Sequence, residues 1–187
     1  MMTTVASARS LAESQLGEVL PRRWAHSLGV ADRAQQLGPL LQDRADVLEA
    51  AAVLHDIGYT PNLVATGFHP LDGARFLQSN GVDELVVRLV ANHSYALLEA
   101  EERGLRDVLS SEFPLVDQPL LVDALVFCDM TTTPDGLPTS TEERVDEILS
   151  RYGQESIVGR FIRRAAPEIH ASVDRIRTAA ATAGVVL

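Results

Sequence analysis

The chain has 187 residues, 26 acidic against 16 basic, and a formal net charge of −10. That balance argues against a general nucleic-acid or anionic-membrane binder, whose affinity needs a basic footprint, but it leaves room for a small anionic substrate held by a few local arginines. The hydrophobic share of 46% suits a soluble globular protein, and the length suits one domain or a domain with a small helical appendage.

The pattern reads as helix throughout, with no alternating strand signal and no Asn-Gly or Asp-Gly hairpin turn. A first amphipathic helix is expected over about 4–20, ended by Pro21. No signal-peptide pattern precedes it. A second spans about Arg22 to Leu37 and stops at Gly38-Pro39. The third runs from about Arg44 to Asp56, with Val47, Leu48, Ala51, Leu54 and His55 on one face. Gly58 suits its C-terminal cap.

After a loop from Tyr59 to Phe68, His69 opens a helix with Pro70 in its first turn. That helix ends at Asn80-Gly81. Another is expected over about Asp83 to Tyr95, continuing through Leu98 to Gly104 or followed there by a short separate helix. Leu105 to Asp117 reads as irregular, or at most one short helix. Pro119 starts a helix that leads through Cys128 to Asp129. Cys128 is the only cysteine, so no internal disulfide forms and a cytosolic location is expected. Its apolar neighbours mark it as a core thiol.

Thr131 to Pro138 reads as a linker. It marks a boundary between a core over 20–135, on which the first helix packs, and a C-terminal helical appendage over 139–184. Ser140-Thr141-Glu142-Glu143 matches a capping box. It opens a helix to about Tyr152, and two more helices are expected over Gln154–Ala165 and Pro167–Ala183. No apolar run approaches the ~20 residues of a membrane span.

The chemistry concentrates in His55-Asp56-Ile57-Gly58, flanked at a distance by His26, His69, His93 and Asp129. Each lies near a helix end or on a predicted apolar face, where helical bundles take their metal ligands. Imidazole and carboxylate without thiolate suit divalent Fe, Mn, Co, Ni or Zn, and do not select sharply among them. His55 and Asp56 would point about 100° apart on a regular helix. They could hold one ion jointly, or Asp56 could bridge two. A lone histidine on such a face is more often a core residue than a ligand, so the weight rests on the doublet and its companions together.

The order His26, His55-Asp56, Asp129 resembles the HD superfamily of metal-dependent phosphohydrolases over about 20–135. The local words match as well: Arg-Trp-Ala-His-Ser-Leu-Gly-Val, Leu-His-Asp-Ile-Gly and Phe-Cys-Asp-Met. His69 in His-Pro-Leu-Asp-Gly-Ala and His93 in Asn-His-Ser resemble the six-ligand subset that binds two metals. Within that subset the layout is most similar to small bacterial proteins that hydrolyse bis-nucleoside polyphosphates. The resemblance implies an all-α HD-domain bundle. It also implies a first metal on His26, His55, Asp56 and Asp129, and a second on His69 and His93, with Asp56 bridging.

The implied activity is hydrolysis of a small phosphate ester or nucleotide by metal-activated water. Arg22, Arg23 and Arg75 are candidate phosphate donors; each is as readily a surface ion-pair residue. Asp72, one turn after His69, could orient a ligand or act as a general base, or simply favour its helix N-terminus. Many HD proteins carry a basic residue after the His-Asp-x-Gly word, where this chain has Tyr59. Tyr59 could bind substrate or only pack. The difference admits two alternatives: a di-iron oxygenase of the same superfamily, and a non-catalytic nucleotide-binding signalling module.

Overall fold

The computed structural model describes residues 3–187. Among them the only β pairing is an isolated antiparallel bridge between Thr132 and Pro138, and the protein is all-α. Helix α1 (Val5–Leu16) starts in a Thr4–Ser7 capping box. Its buried Ala8, Ala12 and Leu16 recur every fourth residue, the spacing that lines up one helix face. Helix α2 spans Pro21–Gln36. Pro21 opens this helix rather than only ending the one before, because its missing N–H falls among the donors that no first turn uses.

After the short α3 (Gly38–Leu41), α4 (Ala45–Leu54) forms the centre of the bundle. Leu48, Ala50, Ala51, Ala52, Val53 and Leu54 are all fully buried, and α1 and α2 both pack on it. A helix apolar on most sides has to be covered on most sides. It ends at Leu54, two residues short of the sequence expectation. His55 and Asp56 thus form a turn into a 3₁₀ segment, Ile57–Tyr59.

That segment lies directly on α5 (His69–Ser79). Gly58 is there for close approach, not as a helix cap. A Cβ on it would stand 2.0 Å from the His69 carbonyl oxygen and 2.6 Å from the Gly73 nitrogen. Gly73 reciprocates, its own Cβ position lying 3.0 Å from the Gly58 nitrogen. The glycine pair lets the Asp56 turn and the His69 helix start touch backbone to backbone.

Helix α6 runs over Glu84–Asn92. It stops before His93, where a continuation to Tyr95 was expected. Ser94 and Tyr95 take left-handed φ values of 48° and 62°, unusual for residues with a Cβ. They turn the chain into α7 (Ala96–Glu102), which is followed by the short α8 (Arg106–Glu112). Helix α9 (Pro119–Met130) is buried over most of its length. Helix α10 (Thr141–Tyr152) begins in the expected Ser140–Glu143 capping box.

One helix, α11 (Ile157–Ala183), replaces the two expected on either side of Ala166. Pro167 removes a hydrogen bond to the residue 163 carbonyl, but Arg163 and Pro167 are both exposed. Water can therefore satisfy the freed oxygen. The opposite face, with Ile162, Ala165, Ile169, Val173 and Ile176, stays buried throughout. Asp123 on α9 clamps it: the carboxylate accepts from Arg175 at 2.7 and 2.9 Å and from Ser172 Oγ at 2.6 Å. The Tyr95 hydroxyl lies 2.7 Å from the same Ser172 Oγ, so the left-handed kink is tied to α11.

Most of the apolar core joins α1 to α9. A smaller cluster joins Val126 and Met130 to Val145, Ile148, Phe161 and Ile162 of the last two helices. Among the described residues no helix is long and apolar enough to cross a membrane.

The Gly58 contact has a direct consequence. Gly58→Ala is expected to lower stability by about 1–3 kcal/mol, the usual cost of overpacking, read as a fall in thermal midpoint. Gly38→Ala serves as control: its Cβ would meet only Ala45 Cβ, at 3.8 Å, and the midpoint should barely move.

Candidate metal centre

Helix α2 and the ends of α4, α5, α6 and α9 converge on one spot. His26 comes from α2 and Asp129 from α9. His55 and Asp56 come from the turn after α4, His69 from the first residue of α5, and His93 from the residue after α6. His26, His55, Asp56, His93 and Asp129 are all buried, with His69 slightly more open.

Three of the imidazoles are aimed by the backbone. His26 Nδ1 lies 2.9 Å from the Thr133 carbonyl oxygen, His55 Nδ1 2.7 Å from that of Ala52, and His93 Nδ1 2.6 Å from that of Val90. A carbonyl can only accept, so each Nδ1 carries a proton and donates it. In the neutral ring Nε2 then presents a lone pair. His69 is aimed differently, by stacking on Tyr59 with ring centroids 3.9 Å apart.

The Nε2 atoms face one another and the two carboxylates. His26 Nε2 is 3.1 Å from Asp129 Oδ1. His55 Nε2 is 3.4 Å from Asp56 Oδ1 and 3.7 Å from Asp129 Oδ1. His69 Nε2 lies 3.3 Å from Asp56 Oδ1 and 3.3 Å from His93 Nε2. Two groups have donor atoms mutually within 4.8 Å: His26, His55 and Asp129, and His55, Asp56 and His93.

The electrostatics favour a cation at this point. Burial pushes His55 down to about 4, against the pull of Asp56 and Asp129, so its ring is neutral at pH 7. Its buried Nε2 has no hydrogen-bond partner. Burial also lowers His69, outweighing the pull of the nearby Asp56 carboxylate. Burial works against the charge on Asp56, but His55 and Arg23 outweigh it and hold the carboxylate well below its usual range. Asp129 is lowered too; burial is overcome chiefly by the adjoining His26 ring, then by His55, with Arg144 a smaller contributor. Buried lone pairs and ionised carboxylates that face one another without protons between them are stabilised by a divalent ion. The donor set fits that ion.

The arginines and Asp72 divide. Arg23 donates to Asp56 Oδ2 at 2.5 Å, and its guanidinium lies 3.6 Å from the Tyr59 ring centroid. Arg23, Tyr59 and His69 thus form one stack beside the cluster. Arg22 is exposed and pairs with Asp135 at 2.7 Å. Arg75, expected near phosphate, points away from the cluster to Glu112 at 2.5 Å. Asp72, expected to orient a ligand or act as a base, is engaged with a loop. Its carboxylate accepts from the backbone N–H groups of Ala65, Thr66 and Gly67 at 3.0–3.1 Å. Those bonds shape the loop, and Asp72 is not among the residues lining the cavity over the cluster.

Several residues at the site were not singled out in the sequence. Ser94 Oγ, delivered by the left-handed kink, donates to Asp129 Oδ2 at 2.5 Å. Thr133, read as part of a linker, aims His26. Its loop presses so closely on α2 that a Cβ on Gly136 would lie 2.2 Å from the Ala25 carbonyl oxygen. Arg144, Arg151 and Tyr152 of α10 line the cavity over the cluster, about 80 Å³ in volume. The one available sequence signal was the seven-residue spacing of Arg144 and Arg151, two helical turns along one face.

An all-helical bundle with a buried His/Asp cluster at converging helix ends defines a metal-binding class. Comparison with known proteins narrows it. A family model described as HD domain matches residues 23–130, and the chain belongs to that family of metal-dependent phosphohydrolases. It is similar to a Ribonuclease Y from Rubrobacter xylanophilus, at 34% identity over 85 residues. The match covers 46% of this chain but only 16% of that relative. No solved structure matches the chain.

Metal removal is expected to destabilise the protein. Adding back Mn²⁺ or Fe²⁺ at a hundredfold excess over Kd should restore about 2.7 kcal/mol, seen as a rise in melting temperature. A chelated and a reconstituted sample that melt together would contradict the site. Gly136→Ala should weaken metal affinity about 10–100-fold by displacing the carbonyl that aims His26. Metal titration of the folded variant measures it.

Proposed function

We propose that this protein is a metal-dependent hydrolase of a small phosphate ester or nucleotide. The observation that carries the reading is the inward array of Nε2 lone pairs, each Nδ1 of His26, His55 and His93 being committed to a backbone carbonyl. His26, His55, Asp56 and Asp129 would hold one ion, and His69 and His93 a second, with Asp56 between them. Asp56 suits a bridge: Oδ1 faces His55 and His69, while Oδ2 faces Arg23 and, at 3.9 Å, His26. Fe, Mn, Co, Ni or Zn suits the donors. Such ions supply Lewis acidity toward a phosphoryl oxygen and a water that ionises near neutral pH.

The chain's own groups do the positioning. Burial opposes the Arg23 charge, but Asp56 outweighs it and keeps the guanidinium firmly protonated. Arg23 pins one oxygen of Asp56 and leaves the other free to face the second pair of ligands. Tyr59 separates Arg23 from His69 and aligns both rather than supplying a cation of its own. We read the segment 20–135 as the metal-binding core and 139–184 as helices that wall its cavity. A small anionic substrate fits these surroundings. A general nuclease reading, suggested by the relative's name, is disfavoured by the net charge of −10. We also read the protein as cytosolic, since its sole cysteine is free and buried.

The test is a hydrolase screen over phosphomonoesters and mono-, di- and cyclic nucleotides, with Mn²⁺, Fe²⁺ or Co²⁺ supplied. Phosphate release should be metal-dependent. Asp56→Ala should abolish it, a loss beyond the roughly 10–100-fold typical of residues that only support a ligand. Oxygen consumption without phosphate release would replace the reading with an oxygenase. Nucleotide binding without any turnover would replace it with a signalling module.

A further inference from the structure

The cavity above the cluster holds about 80 Å³. A wider groove of about 280 Å³ adjoins it, lined by Leu20, Pro134 and four arginines: Arg22, Arg23, Arg144 and Arg151. Arg23, Arg144 and Arg151 line both spaces. In a chain of net charge −10, this groove is lined by four arginines and no carboxylate.

Two of the four are already committed. Arg22 pairs with Asp135 and Arg23 with Asp56. Arg144 differs. Its side chain is only 7% exposed, it makes one ion pair, to Glu147 at 2.6 Å, and its buried Nε has no partner. A guanidinium this buried is costly to keep charged with one carboxylate against it. Arg151 leans on the same Glu147 from the next turn, at 3.1 Å. Thus one carboxylate, itself 32% exposed, serves two arginines. Each guanidinium can grip an oxyanion through two parallel N–H donors.

We propose that Arg144 and Arg151 form a second anion-binding subsite beside the metal cluster. It takes a phosphoryl group of the substrate other than the one being cleaved. Glu147 is the internal carboxylate that this group displaces. The ligand class is therefore a molecule with at least two linked phosphoryl groups, one over the cluster and one on α10. This rests on the phosphohydrolase reading for the first group only; the second is carried by the arginines.

The test uses full-length protein with saturating Mn²⁺ and two probes, inorganic phosphate and inorganic pyrophosphate. Calorimetric Kd values are measured for the parent, Arg151→Gln, Arg144→Gln and Glu147→Gln. The parent should prefer pyrophosphate. Arg151→Gln, on a partly exposed residue and so the variant safest for folding, should lose about tenfold or more in pyrophosphate affinity. Its loss for phosphate should be several-fold smaller. Arg144→Gln should do the same or more where it remains folded. Glu147→Gln should tighten pyrophosphate, because a competitor is removed.

Equal losses for both probes, no preference in the parent, or weaker pyrophosphate binding by Glu147→Gln would overturn the subsite. The two readings fail separately. A parent that hydrolyses no phosphate compound, yet needs Arg151 for pyrophosphate, sinks the hydrolase and keeps the subsite. A parent that hydrolyses phosphomonoesters while Arg151→Gln treats both probes alike sinks the subsite only.

Discussion

The site depends on a single electrostatic constraint: uncompensated lone pairs are not stable in a buried place unless a cation joins them. Backbone carbonyls of Ala52, Val90 and Thr133 take the Nδ1 protons of three histidines. Each ring is thereby locked with Nε2 inward, toward Asp56 and Asp129. The aim is set by main-chain atoms at helix ends, where the last carbonyls of a helix have no partner of their own. Ala52 and Val90 each lie three residues before the histidine they hold, so the helix terminus that leaves a carbonyl free also delivers the ring that uses it. His26 is held instead from a distant loop.

Bringing five helices to one point needs close backbone approach, and glycine supplies it twice. Gly58 against Gly73 joins the Asp56 turn to the start of α5, and Gly29 against Gly136 seats the Thr133 loop on α2. In both places a Cβ would stand well inside contact distance of a backbone atom. The kink at Ser94 and Tyr95 is a third device, made without glycine. It ends α6 so that His93 faces the cluster and Ser94 reaches Asp129, while the Tyr95 hydroxyl anchors to α11. Strain of this kind persists where surrounding contacts over-determine it.

The last two helices complete the site rather than trailing from it. They share an apolar cluster with the end of α9, the helix that carries Asp129. Arg144 and Arg151 then face the cavity from above. Arginine side chains thus gather beside the metal cluster in an otherwise acidic chain. Arg75 and Arg22 spend theirs on Glu112 and Asp135 at the surface, and Asp72 spends its own on a loop.

Residue identity and helical spacing singled out His26, His55, Asp56, His69, His93 and Asp129 as candidates, because apolar periodicity and terminal position are local properties; the resemblance to HD proteins joined them into one ligand set. The all-α class followed from the same periodicity. Local pattern could not show that α11 runs through Pro167, since that depends on which face meets water. Nor could it separate Arg23 from Arg22 and Arg75, or assign Asp72 to its loop, because a charged side chain takes its partner from elements far away in sequence. Only the tertiary structure decided those pairings, the use of Gly58 for close packing, and the entry of α10 into the site. Each depends on which backbones come within contact distance, and no local spacing encodes that.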